Sequence, residues 1–143
     1  MSFNYKFIDH TADIAADLFA DSLEELFVAG AESWKESVME KFEVINPELK
    51  YIELIENSPD ELLVSFVDEL NFKLITKKWV YNDVNEIKIE QKEDQWILNC
   101  KISGEKLNEK KHTIKTEIKA VTFHQMDIKE VNRKFITRIV YDI

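Results

Sequence analysis

Gln95-Trp96-Ile97-Leu98-Asn99-Cys100-Lys101-Ile102 sets Trp96, Leu98, Cys100 and Ile102 at every second position. A period of two belongs to a half-buried strand, whose side chains point alternately to core and solvent. Ile87 and Ile89 repeat the period just upstream, and Lys92-Glu93-Asp94 between the two runs reads as a turn. Asn82-Asp83 and Ser103-Gly104 read as further turns, and 114–123, 126–131 and 135–141 as further strands. The last half of the chain is therefore antiparallel β.

Before Trp79 the period is helical. Ser22 with Glu25 three residues on forms a capping box, and Leu23, Leu26, Phe27, Trp34 and Val38 follow at one-face spacing. Ser58-Pro59-Asp60-Glu61 starts a second helix with a cap, a proline in the first turn and acids at the positive helix end. Leu62, Leu63, Phe66, Val67, Leu70 and Leu74 line its apolar face. Each helix carries an acidic outer face, so each is expected to pack through one side only. Tyr5 to Phe19 reads as two short strands around His10-Thr11-Ala12-Asp13, and Tyr51 to Ile55 as a strand after the Asn46-Pro47 break. Two amphipathic helices on largely antiparallel β-sheet define an α+β architecture, and residues 1–143 read as a single domain without linker or repeat.

Composition narrows the function classes. The net charge is −9, with 17 acids against 7 bases in residues 1–80, and only Arg133 and Arg138 are arginines. Such a surface repels nucleic-acid phosphate, so direct nucleic-acid binding is not expected, and a basic or metal-bridged protein partner fits better. The lone Cys100 cannot form an internal disulfide, and no apolar run has membrane-spanning length, so a cytoplasmic protein with no membrane association is expected. Cys100 and the tryptophans Trp34, Trp79 and Trp96 read as core, and Lys106, Lys110, Lys111 and His112 as a solvated hairpin tip.

Two aspartates stand out because they sit in strand-like runs, where a carboxylate needs compensation. Asp13 lies near the start, and Asp142 precedes Ile143, whose main-chain carboxylate is a third anion. If these segments meet, the oxygen-rich cluster suits a hard divalent cation, with calcium first and magnesium or manganese as alternatives; zinc prefers His and Cys. The competing reading is that both aspartates end strands and face water. A separate possibility makes the same carboxylates a stand-alone metal-dependent phosphoesterase, with Asp13 or Asp142 as base.

His10-Thr11-Ala12-Asp13-Ile14, Ser22-Leu23-Glu24-Glu25-Leu26-Phe27, Leu62-Leu63 with Asp68-Glu69-Leu70, Glu117-Ile118-Lys119-Ala120-Val121-Thr122-Phe123-His124 and Val140-Tyr141-Asp142-Ile143 occur in this order. Together they resemble the archease family from about residue 3 onward. That resemblance implies a non-enzymatic cofactor protein that activates an RtcB-type RNA ligase, promoting guanylylation and multiple turnover in tRNA splicing and RNA repair. It also implies a divalent cation held by Asp13, Asp142 and Ile143, and a partner-activating role for Lys119, with His10 and His124 beside the site. A chaperone-like action on a tRNA methyltransferase is a further role the resemblance carries. The chain departs from the family pattern at Ala20-Asp21 and at Asn132, where glycine is usual.

Overall fold

A computed structural model describes residues 2–8, 13–40, 43–45 and 47–143. The elements run β1 (Phe3–Ile8), β2 (Asp13–Ala20), α1 (Leu23–Val38), β3 (Glu48–Glu56), α2 (Pro59–Ile75), β4 (Trp79–Lys92) and β5 (Gln95–Lys106). Then come β6 (Ala120–Thr122), β7 (Lys129–Val131) and β8 (Lys134–Asp142). All recorded pairings are antiparallel, and they form two sheets: β1-β2-β8-β6, with β7 also on β8, and β3-β5-β4. The chain is α+β as expected.

Both helices start as their caps predict. The Ser22 side chain accepts the Glu25 N–H, and the Ser58 side chain accepts the Glu61 N–H, each at 3.1 Å. The two glutamates turn back to earlier donors than a capping box implies. Glu25 takes the Ser2 N–H at 2.8 Å, and Glu61 takes the Asn57 N–H at 3.1 Å. The first of these ties the start of β1 to α1.

One-sided packing holds for α2, whose Asp68 and Phe72 are exposed, but not for α1. In α1 every residue from Leu26 to Ala31 is buried, along with Ser33, Trp34, Ser37 and Val38. The helix is enclosed because β1, β2, β8, α2 and β4 all pack against it. Gly30 allows the helix pair to approach, since a Cβ there would stand 3.1 Å from Leu63 and 3.3 Å from Val67. Trp34, Phe27, Phe66 and Leu18 fill the interior.

Two predicted turns lie inside strands. β4 passes through Asn82-Asp83 with register shifts at Tyr81/Asp83 and Val84/Glu86, so the extra residues are absorbed as bulges. β5 passes through Ser103-Gly104. The glycine serves close packing rather than a turn: a Cβ at residue 104 would lie 2.2 Å from the Val80 carbonyl oxygen and 2.4 Å from the Trp79 ring. Gly104→Ala should therefore cost about 3 kcal/mol, lowering the melting temperature by roughly 10 °C. An unchanged thermal transition would contradict this packing.

The predicted strand over 114–123 shrinks to β6 and one bridge between Met39 and Ile114. Its backbone finds other partners. The N–H groups of Lys115 and Thr116 donate to the Val38 carbonyl at the end of α1, and the Asn71 side-chain amide donates to the Ile118 carbonyl. These bonds satisfy the segment without a neighbouring strand. The β7–β8 turn places Asn132 (φ 52°) and Arg133 (φ 67°) in left-handed backbone, the geometry of the tightest hairpin turns. Asparagine tolerates this left-handed backbone better than most residues.

The solvated-tip reading of the basic cluster also fails at His112, which is 3% exposed. Its Nδ1 accepts the Asn108 N–H at 2.9 Å, and its Nε2 lies 3.0 Å from Glu105, itself buried and joined to Lys111 at 2.6 Å. Glu105 thus anchors the loop after β5 from within.

Candidate functional site

β2 and β8 are paired in the register Asp13↔Asp142, Asp17↔Arg138 and Ala20↔Phe135. Residues directly opposite in an antiparallel pair share a face. Ala16, Leu18, Ile139 and Tyr141 are fully buried on the core face. By alternation Asp13, Asp17, Arg138 and Asp142 occupy the other face.

On that face charged rungs alternate with apolar ones, Phe19 opposite Ile136 and the buried Ala15 opposite Val140. Lys134 bonds Asp21 just beyond the paired residues. Four residues along, Arg138 grips Asp17 with Nε at 2.8 Å and Nη2 at 3.3 Å, and its Nη1 donates to Gln125 at 3.3 Å. The Asp17 bond holds the Arg138 pKa above its usual value, and the Lys134 bond holds the Asp21 carboxyl below its own. Four residues further the same register sets Asp13 against Asp142. Two rungs oppose acid with base; the third opposes acid with acid. Asp13 is half-buried and Asp142 exposed.

Lys119 joins this end of the sheet. It stands one residue before β6, not mid-strand as its sequence context suggests, because 115–119 is bonded to α1 and α2. Its N–H donates to the Asp142 carbonyl at 2.8 Å, while the carbonyl of the same peptide unit, that of Ile118, accepts from Asn71 Nδ2 at 2.8 Å. One peptide plane is thus clamped between β8 and α2. Asn71 Oδ1 in turn accepts from Trp34 Nε1 at 3.0 Å, so the clamp is fixed by the core of α1.

The expected site residues divide into two groups. Asp13, Asp142, the following Ile143 and Lys119 lie on neighbouring backbone at one sheet end. His124 sits beyond the opposite end of β6, exposed in a turn, its N–H on Thr122 Oγ1 at 3.2 Å. It belongs beside the Arg138 rung, where its neighbour Gln125 makes a bond. His10 lies outside the described residues. Among the described residues no three His, Cys, Asp or Glu side chains gather as a metal group. Any cation here would take Asp13 and Asp142 as its side-chain donors and complete its shell from main-chain oxygen or water. The donor chemistry, all oxygen, suits calcium, magnesium or manganese.

Asn71 is the residue that sequence reading missed. It interrupts the apolar stripe of α2 four residues after Val67 and is 6% exposed. A polar side chain at a core position is the available signal, since it must find buried partners. Tyr141, next to Asp142, is likewise fixed from inside: its hydroxyl lies 2.6 Å from Ser33 Oγ and 3.3 Å from the Gly30 carbonyl, and burial raises its pKa.

Cys100 plays no part in this site. Burial pushes its thiol up to about 12, so the nucleophilic thiolate is suppressed near neutrality. Below the ordinary thiol value of 9.0 both folded and unfolded chains keep it protonated; as pH rises toward 12 the unfolded thiol ionises first and stability falls. Native protein at pH 8 should resist thiol-specific alkylation until denatured, and rapid labelling of the folded chain would contradict the burial.

Comparison with known proteins follows this geometry. The model of the Archease protein family matches residues 5–143. The protein archease of Pyrococcus abyssi is 35% identical over 136 residues, covering 94% of this chain and 95% of that protein. That of Pyrococcus furiosus is 34% identical over the same length and coverage. The solution structure of Methanobacterium thermoautotrophicum protein 1598 superposes with a TM-score of 0.82 at 29% identity, covering 97% of this chain and 98% of its own. A Thermotoga maritima archease crystal structure, described as a possible chaperone, shares the fold at a TM-score of 0.64 and 24% identity. The chain belongs to the Archease protein family.

Proposed function

We propose that this protein is a metal-dependent activator of an RtcB-type RNA ligase, acting through the sheet end where Asp13 faces Asp142. The carrying observation is the register that sets Asp13 opposite Asp142 at the end of the β2–β8 pair, with the Lys119 N–H on the Asp142 carbonyl beside them. A divalent cation would bridge the two carboxylates that the register sets opposite each other, as hard-cation oxygen chemistry allows. In this reading Asp13, Asp142 and the Ile143 carboxylate hold it. Family membership supports the choice of partner.

The roles of the chain's own residues follow from their placement. Asp13 and Asp142 project from adjacent strands whose register is set by the buried face, so their spacing is fixed before any partner arrives. Lys119 issues from a peptide plane clamped by Asn71 and Asp142, which confines its backbone at the rim. Docked at the mouth of the ligase's nucleotide site, this rim would orient phosphate or partner metal during nucleotidyl transfer, a positioning and electrostatic role. Lysine suits it as a compact point charge on a flexible stem.

The test is single-turnover guanylylation of an RtcB-type ligase's histidine by GTP, with and without this protein. The reading predicts faster guanylylation and repeated ligation turnovers at substoichiometric protein. No stimulation under either condition would overturn it. If ligation is unaffected while a tRNA methyltransferase gains specificity, the chaperone-like role matching the Thermotoga maritima relative's description would take its place.

A further inference from the structure

We propose that the free edge of β1 and the acidic groove beside it form a docking site for an extended, lysine- or arginine-bearing segment of a protein partner. β1 ends its sheet, pairing with β2 and with no other strand among the described residues. The ladder phase is fixed at two points. The Asp21 N–H donates to the Ser2 carbonyl at 3.1 Å, and the Tyr5 N–H turns away to its neighbour's side chain, Asn4 Oδ1, at 2.9 Å. In an antiparallel ladder alternate residues bond inward, so the peptide groups of Phe3, Tyr5 and Phe7 face outward. Among the described residues no strand pairs with this row, and the Tyr5 N–H is held only by the adjacent Asn4 side chain, so the edge can take an added strand.

The ground next to this edge is concave and acidic. Two adjoining hollows of about 430 and 570 Å³ share Glu36 and Lys115; Tyr5 lines the first, Phe7 and Asp13 the second. Glu32 and Glu36 stand four residues apart on α1, and Glu40 follows the helix end; Glu36 lines both hollows, Glu32 and Glu40 the first. Lys35 is already engaged, by Glu32 at 3.1 Å and by the Asn82 carbonyl at 2.7 Å. Among the described lining residues, Lys115 then stands with Glu36 and Glu40. Glu36 and Glu32 also raise the Tyr5 pKa after desolvation, as expected where negative potential collects. Phe7 is 38% exposed and packs edge-to-face on Tyr5 at 5.8 Å, giving an apolar wall.

A strand added to β1 would lie about 4.8 Å away and send every second side chain toward this groove. Basic residues at those positions meet the glutamate row, and their aliphatic stems lie along Tyr5 and Phe7. Charge complementarity thus selects a cationic occupant over an acidic one. The surface is independent of which enzyme the protein serves.

The experiment is a fluorescence-anisotropy titration of the full chain with a labelled alternating Lys-Val octapeptide, an alternating Glu-Val octapeptide, and Lys-Val peptides N-methylated at every second amide in each register. The Lys-Val peptide should bind and the Glu-Val peptide should not. Methylation in one register should abolish binding, and Glu36→Lys with Glu40→Lys should weaken it at least about tenfold while circular dichroism stays unchanged. Absent binding of the Lys-Val peptide, equal binding of the Glu-Val peptide, full affinity in both methylated registers, or full affinity in the double variant would each overturn the proposal. No ligase is present, so these outcomes are separate from those of the guanylylation assay.

Discussion

Replacing Asp142 by asparagine should lower calcium or magnesium affinity by about 100-fold or more, since it removes a charged oxygen donor. Isothermal titration against the parent chain reads this directly. The substitution keeps shape and leaves the Asp142 main-chain carbonyl to accept the Lys119 N–H, so the fold should persist. Asp142 is exposed at the end of β8, and exposed carboxylates contribute little to stability. Asp13→Asn should act similarly, because its register partner is the same residue. By contrast, Asp17→Asn should leave cation affinity nearly unchanged, as its carboxylate already serves Arg138. Equal affinity in the parent, Asp13→Asn and Asp142→Asn proteins would remove the ion from this rung. Loss of ligase stimulation should track loss of cation binding; phosphoester hydrolysis by the purified protein, abolished by the same changes, would favour the phosphoesterase alternative.

The second large effect is expected at Asn71. Truncation to alanine strips the Trp34 Nε1–H and the Ile118 carbonyl of their partner at once, and the site is buried. Leaving such groups unsatisfied costs about 3 kcal/mol in total. The cost should be read by chemical denaturation. The local consequence is more informative: with the Ile118 carbonyl released, the Lys119 peptide plane keeps only its bond to Asp142. Native-state exchange of the Lys119 amide should accelerate more than that of β5 amides in the same variant. If both rise in proportion, Asn71 is a stability residue with no special hold on Lys119.

Much of this arrangement could be read from the residues. The period-two run through Trp96 and Ile102, the capping serines and the two apolar helix stripes became β5, α1 and α2 because local propensity, pattern and burial agree there. What escaped depends on partners distant in sequence. Gly104 resembles a turn residue until Val80 and Trp79 are placed against it, and 114–119 resembles a strand until Val38 and Asn71 take its bonds. His112 looks exposed among lysines until Glu105 is found beneath it. The acidic pair was legible as residue types, but their opposition was not. The register of β2 on β8 is dictated by Ala16, Leu18, Ile139 and Tyr141 facing the core, and that choice carries Asp13 to Asp142.

The central claim, that the third rung of this ladder holds one divalent cation, is tested most directly by titrating ¹⁵N-labelled protein with manganese. Paramagnetic broadening should begin at the amides of Asp13, Asp142, Ile143 and Lys119 and spread outward with added ion. Broadening that begins instead at Glu32 and Glu36 of α1 and the following Glu40, or at no single place, would contradict it.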